Sequence, residues 1–222
     1  MLSLGQWLRS LKNLDPKSDL KHKAVLGLLK GRRMTRDFKE SPLELGTAEE
    51  LVDVARYAPR AGNTDGIRYL ILENTEVSDY WAITMPDDTQ HDFPWPGLLK
   101  APTLILIWVN STEYLDRYSE ADKSRSGLGD SESSWSTPYW WVDGGMAAMA
   151  ILIAAESQNL GTLFFGVFEH ENMIKSRFDI PDEFNVVGAI AVGHGTAEQR
   201  KSKSTLRKRL EAKDLIFKNN KN

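Results

Sequence analysis

The stretch from Trp140 to Glu169 constrains this chain more than any other. Asp143 to Asn159 is the longest run free of proline and of charge clusters, and Met146, Ala147, Ala150, Ile151, Ala154 and Ala155 recur at spacings of three and four residues. That periodicity predicts a helix. Ala147, Ala148, Met149, Ala150 and Ile153 leave almost no polar face, so burial on most sides is expected, with small residues admitting a second backbone at close range. Gly161 is expected to stop the helix. Thr162 to Phe168 then reads as a short, aromatic-rich buried strand that ends in a loop holding Gly166. A buried helix feeding a buried strand makes this the core, and the rest of the chain is read around it.

At 222 residues the chain suits one sizeable core. A formal charge of −3 gives no overall basic field for nucleic acid, which is therefore not an expected partner. No apolar run approaches the roughly 20 residues of a membrane span, and the first residues lack a secretory pattern, so a cytoplasmic protein without membrane contact is expected. There is no cysteine, hence no disulfide, thiolate nucleophile or thiolate-held cluster, and any redox chemistry has to come from a bound organic cofactor. His22, His91, His170 and His194 show no metal-ligand spacing, so no metal site is expected. Neither a Gly-x-Ser-x-Gly elbow nor a Gly-x-Gly-x-x-Gly fingerprint occurs.

In chain order, Leu4, Trp7, Leu8 and Leu11 predict one helix, and Ala24, Val25, Leu28 and Leu29 a second beyond Asp15-Pro16. Arg32, Arg33 and Arg36 then crowd one turn. They serve either the negative end of the preceding helix or as a grip for phosphate, whose oxygens match arginine's forked donors. Thr47 to Tyr57 reads as a helix with Thr47 and Glu50 at capping-box spacing, closed by Ala58-Pro59. Arg60 to Gly66 is a loop, Ile67 to Glu73 a strand, and Thr103 to Val109 a strand buried on both faces. Ser111 to Pro138 is polar, with Ser124 to Ser136 rich in serine and glycine, and a mobile connection or lid is expected there. Glu171 to Phe178 reads as a short helix and Asn185 to Val192 as a strand before Gly193-His194-Gly195. The tail from Arg200 to Arg209 is basic, and Asp214 to Phe217 closes with an apolar patch.

Arg32-Arg33-Met34-Thr35-Arg36-Asp37-Phe38, Ala58-Pro59-Arg60-Ala61-Gly62-Asn63, Leu98-Leu99-Lys100-Ala101-Pro102, the Asp143-Gly144 helix with its glycine-bearing strand end, and the basic tail stand in one fixed order. In that order the chain resembles the FMN-dependent nitroreductase family over roughly residues 31–217. The resemblance implies an α+β fold, a central mixed sheet flanked by helices, and an intertwined homodimer with FMN at each of two interface sites. It divides the chain into a helical extension, residues 1–30, and an FMN-binding domain, residues 31–222. It also implies NAD(P)H as donor and a small aromatic or quinone-type acceptor, reduced by ping-pong hydride transfer through flavin N5, with no catalytic side chain required. The alternative is a flavin-binding or sequestering protein on the same scaffold.

By the same resemblance, Arg32, Arg33 and Arg36 match positions that hold the FMN phosphate, ribityl chain and pyrimidine edge, with Met34 where serine is frequent. Arg207 and Arg209 match basic residues that reach the phosphate, and Lys201 and Lys203 compete for that role. Pro59, Arg60, Ala61 and Asn63 match the loop that the partner subunit lays against the flavin. Asp65, where glutamine is frequent, puts a carboxylate near an anionic cofactor. Phe165, Gly166, Val167 and Phe168 match the segment whose backbone N–H groups face flavin N5 and O4, although many relatives have proline in place of Gly166 and a small residue in place of Phe168. Trp135, Tyr139, Trp140 and Trp141 crowd the entry to the central helix. They either anchor packing or, in Tyr139, Trp140 and Trp141, supply a ring that stacks the acceptor.

Overall fold

The computed structural model describes residues 16–85, 92–199 and 202–217, so the helix expected around Leu4 to Leu11 and His91 lie outside the described residues. The helices are α1 (Pro16–Gly31), α2 (Thr47–Ala55), α3 (Thr75–Thr84), α4 (Ser111–Ser119), α5 (Tyr139–Ser157), α6 (Glu171–Arg177) and α7 (Ala212–Leu215). The strands are β1 (Ile67–Glu73), β2 (Thr103–Val109), β3 (Gly161–Phe165) and β4 (Asn185–Gly193), in the order β1-β2-β4-β3. All neighbouring pairs are antiparallel. The expected mixed character is confined, among the described residues, to one parallel bridge between Met34 and Thr162 on the outer side of β3.

Strand β2 is buried along its whole length, as its continuous apolar run predicts. Because successive side chains leave opposite faces of a strand, it serves two cores. Ile105, Ile107 and Val109 join Ile190 and Val192 under α5 and α2, whereas Leu104, Leu106 and Trp108 join Ala189 and Ala191 under α3 and α6. The molecule is thus an α+β sheet with helices on both faces.

Helix α5 begins four residues before Asp143 and buries Trp140, Asp143, Ala147, Ile151, Leu152 and Ala155. Burial on most sides leaves one stripe open: Trp141, Gly145, Met146 and Met149 are exposed in the single chain. The stop signal also moves. Asn159 takes the left-handed conformation at φ 59°, and Leu160 N–H reaches the Ala155 carbonyl at 2.9 Å while Asn159 N–H reaches Glu156 at 3.1 Å. That is a Schellman ending, which asparagine tolerates. Gly161 instead opens β3, where an added Cβ would lie 2.5 Å from Thr35 Oγ1.

One other expectation, a Thr47 cap, is corrected, and the polar stretch holds a helix of its own. Gly46, at φ 87°, takes the position before α2, so Thr47 is already helical and no side-chain cap bond forms. The polar stretch after Ser111 starts with α4, whose N-cap Asn110 accepts from Thr112 N–H at 2.9 Å, and Trp135 at its far end is buried with its indole N–H on the Leu128 carbonyl at 2.8 Å.

Candidate functional site

The arginine turn follows α1 and is fixed on both sides by backbone bonds. Thr35 N–H donates to Thr162 of β3 at 2.8 Å, Lys39 N–H to His194 at 2.8 Å, and Phe38, 1% exposed, anchors the segment in the core. The three arginines then separate in role. Arg33 Nη1 folds back onto the carbonyls of Lys30, Arg32 and Gly31 at 2.6, 2.9 and 3.1 Å, satisfying the negative end of α1. Arg36 lies over the Trp95 ring, 5.1 Å from its centroid, and donates to the Met34 carbonyl at 3.3 Å. Arg32 is half-buried, and its Nε and Nη1 are shielded from water with no hydrogen-bond partner among the described residues. An unpaired buried donor is costly, and a guanidinium left this way suits an acceptor-rich anion.

Arg36 also borders a cleft of about 560 Å³ whose other walls include Trp81, Trp95, Phe165, Gly166 and Phe168. Trp81 and Phe165 stack with centroids 5.8 Å apart and planes 16° from parallel, so the interior is flat and aromatic. Phe168 is 94% exposed, and its ring lies where a Gly166 side chain would be, 2.5 Å from an added Cβ. His170, at φ 66° before α6, lines the same cleft. Phe165, Gly166, Val167, Phe168 and Arg36 are therefore brought together. Trp81, Trp95 and the wall residue Tyr80 were not singled out in the sequence, although Val77, Tyr80 and Trp81 carry the three- and four-residue spacing of α3.

The Pro59–Asp65 loop forms a second group, against the start of α5. Ala61 N–H donates to Asp143 Oδ2 at 2.7 Å, and the Tyr114 hydroxyl donates to the same oxygen at 3.0 Å. Burial pushes the Asp143 carboxyl up from its ordinary value, partly offset by the Ala61 N–H, the Tyr114 hydroxyl and the Arg60 charge. Burial, then the Asp143 charge, raises the Tyr114 hydroxyl far above its ordinary range. Asp65, whose charge conflicted with an anionic ligand, pairs with Arg60, and Arg60 Nη2 also donates to Asn63 Oδ1 at 3.2 Å. Pro59 and Asn63 face solvent.

The remaining candidates lie apart from the cleft. Trp140 and Trp135 are buried in a cluster with Tyr114, while Tyr139 and Trp141 are exposed at 43% and 42%. Arg207, Arg209 and Lys203 lie on an exposed tail whose hydrogen bonds, among the described residues, are local, and Lys201 is outside the described residues. No helix among the described residues is long and apolar enough to cross a membrane.

The Nitroreductase family model matches residues 29–194, more than half of the chain. A nitroreductase family protein from Streptococcus pneumoniae TIGR4 superposes with TM-score 0.68 at 17% identity, over 88% of this chain and 100% of that one. Nitroreductase CinD from Lactococcus lactis, solved with nicotinic acid, gives TM-score 0.69 at 14% identity, over 88% and 99%. CinD has also been solved with chloramphenicol and with 4-nitrophenol. A nitroreductase family protein from Clostridium novyi NT gives 0.59 at 20% identity, over 78% and 85%. The matched span runs from the end of α1 to His194 and takes in the arginine turn, the Asp143-anchored loop and all four strands, so the chain belongs to the nitroreductase family, a family of oxidoreductases.

Proposed function

We propose that this chain is an FMN-dependent oxidoreductase, active as a homodimer, that passes hydride from NAD(P)H to a small aromatic or quinone-type acceptor by ping-pong kinetics. The observation that carries the reading is Arg32, a half-buried guanidinium with two shielded N–H groups and no partner among the described residues. The phosphate of FMN supplies the oxygens such a group lacks. When bound, the flavin supplies the hydride chemistry at N5 and spares the protein an acid–base residue.

The chain's own residues bind, orient and tune. Arg32 holds phosphate, Arg36 brings positive charge to the pyrimidine edge, and the backbone of Gly166 and Val167 offers N–H donors. Arg33 is engaged with the α1 carbonyls, so its share in binding is smaller. The cleft lined by the rings of Trp81, Phe165 and Trp95 suits a planar acceptor, in keeping with 4-nitrophenol and nicotinic acid bound to CinD. The Arg60–Asp65 pair removes the charge conflict at Asp65. A second copy covers the exposed stripe Trp141, Met146 and Met149, and receives the tail that carries Arg207, Arg209, Leu206 and Phe217.

The test is direct. Purified protein is expected to be yellow, or to become so with FMN, and to bleach rapidly with NADH or NADPH. Protein that stays colourless with FMN overturns the reading. The Phe168 ring over Gly166 favours one second reading, flavin sequestration without turnover. Bound flavin that neither nucleotide bleaches in stopped-flow would select it.

A further inference from the structure

Two consecutive residues of the Pro59–Asn63 loop are left-handed, Gly62 at φ 63° and Asn63 at φ 56°. Such a conformation persists where its surroundings over-determine it. Here α4 and α5 act together. Asp143 of α5 takes the Ala61 N–H at 2.7 Å, and Arg117 of α4 gives its Nε–H to the Gly62 carbonyl at 2.9 Å. The Tyr118 ring of α4 packs so closely that a Gly62 Cβ would meet it at 2.8 Å. Tyr114 of α4 closes the circuit through its hydroxyl on Asp143 at 3.0 Å. Within the loop, Thr64 Oγ1 donates to the Ala61 carbonyl at 2.7 Å.

Asp143 is 1% exposed, so its charge sits out of water and depends on these donors. A neutral acceptor could complete the same geometry without desolvating a charge. What a carboxylate adds is strength, since a charge-assisted bond is roughly twice as strong as a neutral one. The Ala61 and Tyr114 donors, with the Arg60 charge on the loop side, offset part of the cost of burying that charge, and the acceptor oxygen they share holds the loop in this one shape.

We propose that Asp143 is the positioning residue of the site: through Ala61 it fixes the Pro59–Asn63 loop, with Tyr114 and Arg117 of α4 as the brace. The functional consequence rests on the reading of this loop as part of the FMN site. The loop geometry does not.

The experiment is amide hydrogen exchange, read by NMR on the flavin-free full chain, beside FMN titration of the same variants. Asp143→Ala is expected to speed exchange at Ala61, Asn63 and Thr64 at least tenfold while the β2 and β4 amides hold, and Asp143→Asn is expected to restore most of the protection. Should Asp143→Ala not fold, Ala61→Pro carries the test. It deletes the N–H that Asp143 accepts, and Arg60 before it is already extended, as a residue preceding proline prefers. Its expected result is faster exchange at Asn63 and Thr64. FMN affinity should fall several-fold in Asp143→Ala and Ala61→Pro and stay near the parent's in Asp143→Asn. Unchanged loop exchange in Ala61→Pro and in any folded Asp143→Ala protein overturns the brace, and a loosened loop with unchanged FMN affinity overturns the positioning role. A parent that binds no FMN sinks the proposed function, while the exchange rates still decide what holds the loop.

Discussion

Adjacent arginines can face opposite demands, and Arg32 and Arg33 do. Arg33 satisfies helix carbonyls, whereas Arg32 has two donors with no partner among the described residues. Arg32→Ala should therefore weaken FMN binding by roughly 1.5–3 kcal/mol, the range for a hydrogen bond to a charged group. The flavin-free variant should melt no lower than the parent, because the substitution removes an unsatisfied buried group. Arg33→Ala should do the reverse, costing about 0.3–1 kcal/mol of stability with little change in FMN affinity. Fluorescence titration and thermal melts of both variants check this. Asp143 gives a pH signature of definite sign. Its folded-state pKa is raised above the ordinary carboxyl value of 3.8 by burial, with Tyr114 and Arg60 facing it and Glu113 acting on Tyr114. Its contribution to stability is thus full below the unfolded pKa and lost as pH rises through the folded one. Relative to Asp143→Asn, the parent should be most stable at acid pH and lose ground as pH climbs above 3.8, levelling off once the folded carboxyl is ionised. Paired melting curves across that window test it, and a gap that moves the other way contradicts the burial argument.

Among the elements, α4 and the start of α5 account for most of what the residue pattern concealed. Helix α4 is polar in composition, yet Tyr114 is fully buried and Asn110 caps the first turn. Asn110→Ala should cost about 0.5–2 kcal/mol, measured by denaturant unfolding, with the Pro59–Asn63 loop loosening in step. The aromatic group at the entry to α5 divides in the same way. Trp140 packs against Tyr114 and Trp135, so Trp140→Ala should cost about 3–5 kcal/mol. Tyr139 and Trp141 are exposed in the single chain; Tyr139→Ala should melt close to the parent, whereas Trp141→Ala, in the stripe assigned to the second copy, should weaken the dimer. Any selective several-fold rise in KM for an aromatic acceptor should therefore appear at Tyr139 or Trp141. If neither shows one, the aromatic group serves packing alone.

Taken whole, a single chain leaves large apolar side chains facing water along α5 and along the tail, with Phe217 fully exposed and Leu206 and Leu210 largely so. Apolar surface of that extent is expected to be covered by a second copy. Analytical ultracentrifugation should give twice the chain mass at micromolar concentration, and a chain ending at Gln199 should bind FMN more weakly. A monomeric parent, or a truncated chain with unaltered affinity, contradicts that arrangement.

Apolar spacing was enough to mark the buried helix of α5, and short apolar, β-branched runs the strands β1, β2 and β4, because burial writes itself into where apolar residues fall; the crowding of Arg32, Arg33 and Arg36 was legible as charge. Motif order pointed to the family that the family model matches over residues 29–194. What periodicity could not carry was any choice between equivalent residues. Both Asn159 and Gly161 can follow a helix, and only the close approach of Thr35 reserves Gly161 for the strand. Three arginines look alike in the sequence, and only the position of the α1 carbonyls decides that Arg33 is occupied while Arg32, among the described residues, is not. Asp143 and Tyr114 stand 29 positions apart and meet at one oxygen, a contact set by how α4 and α5 pack, which local sequence does not encode.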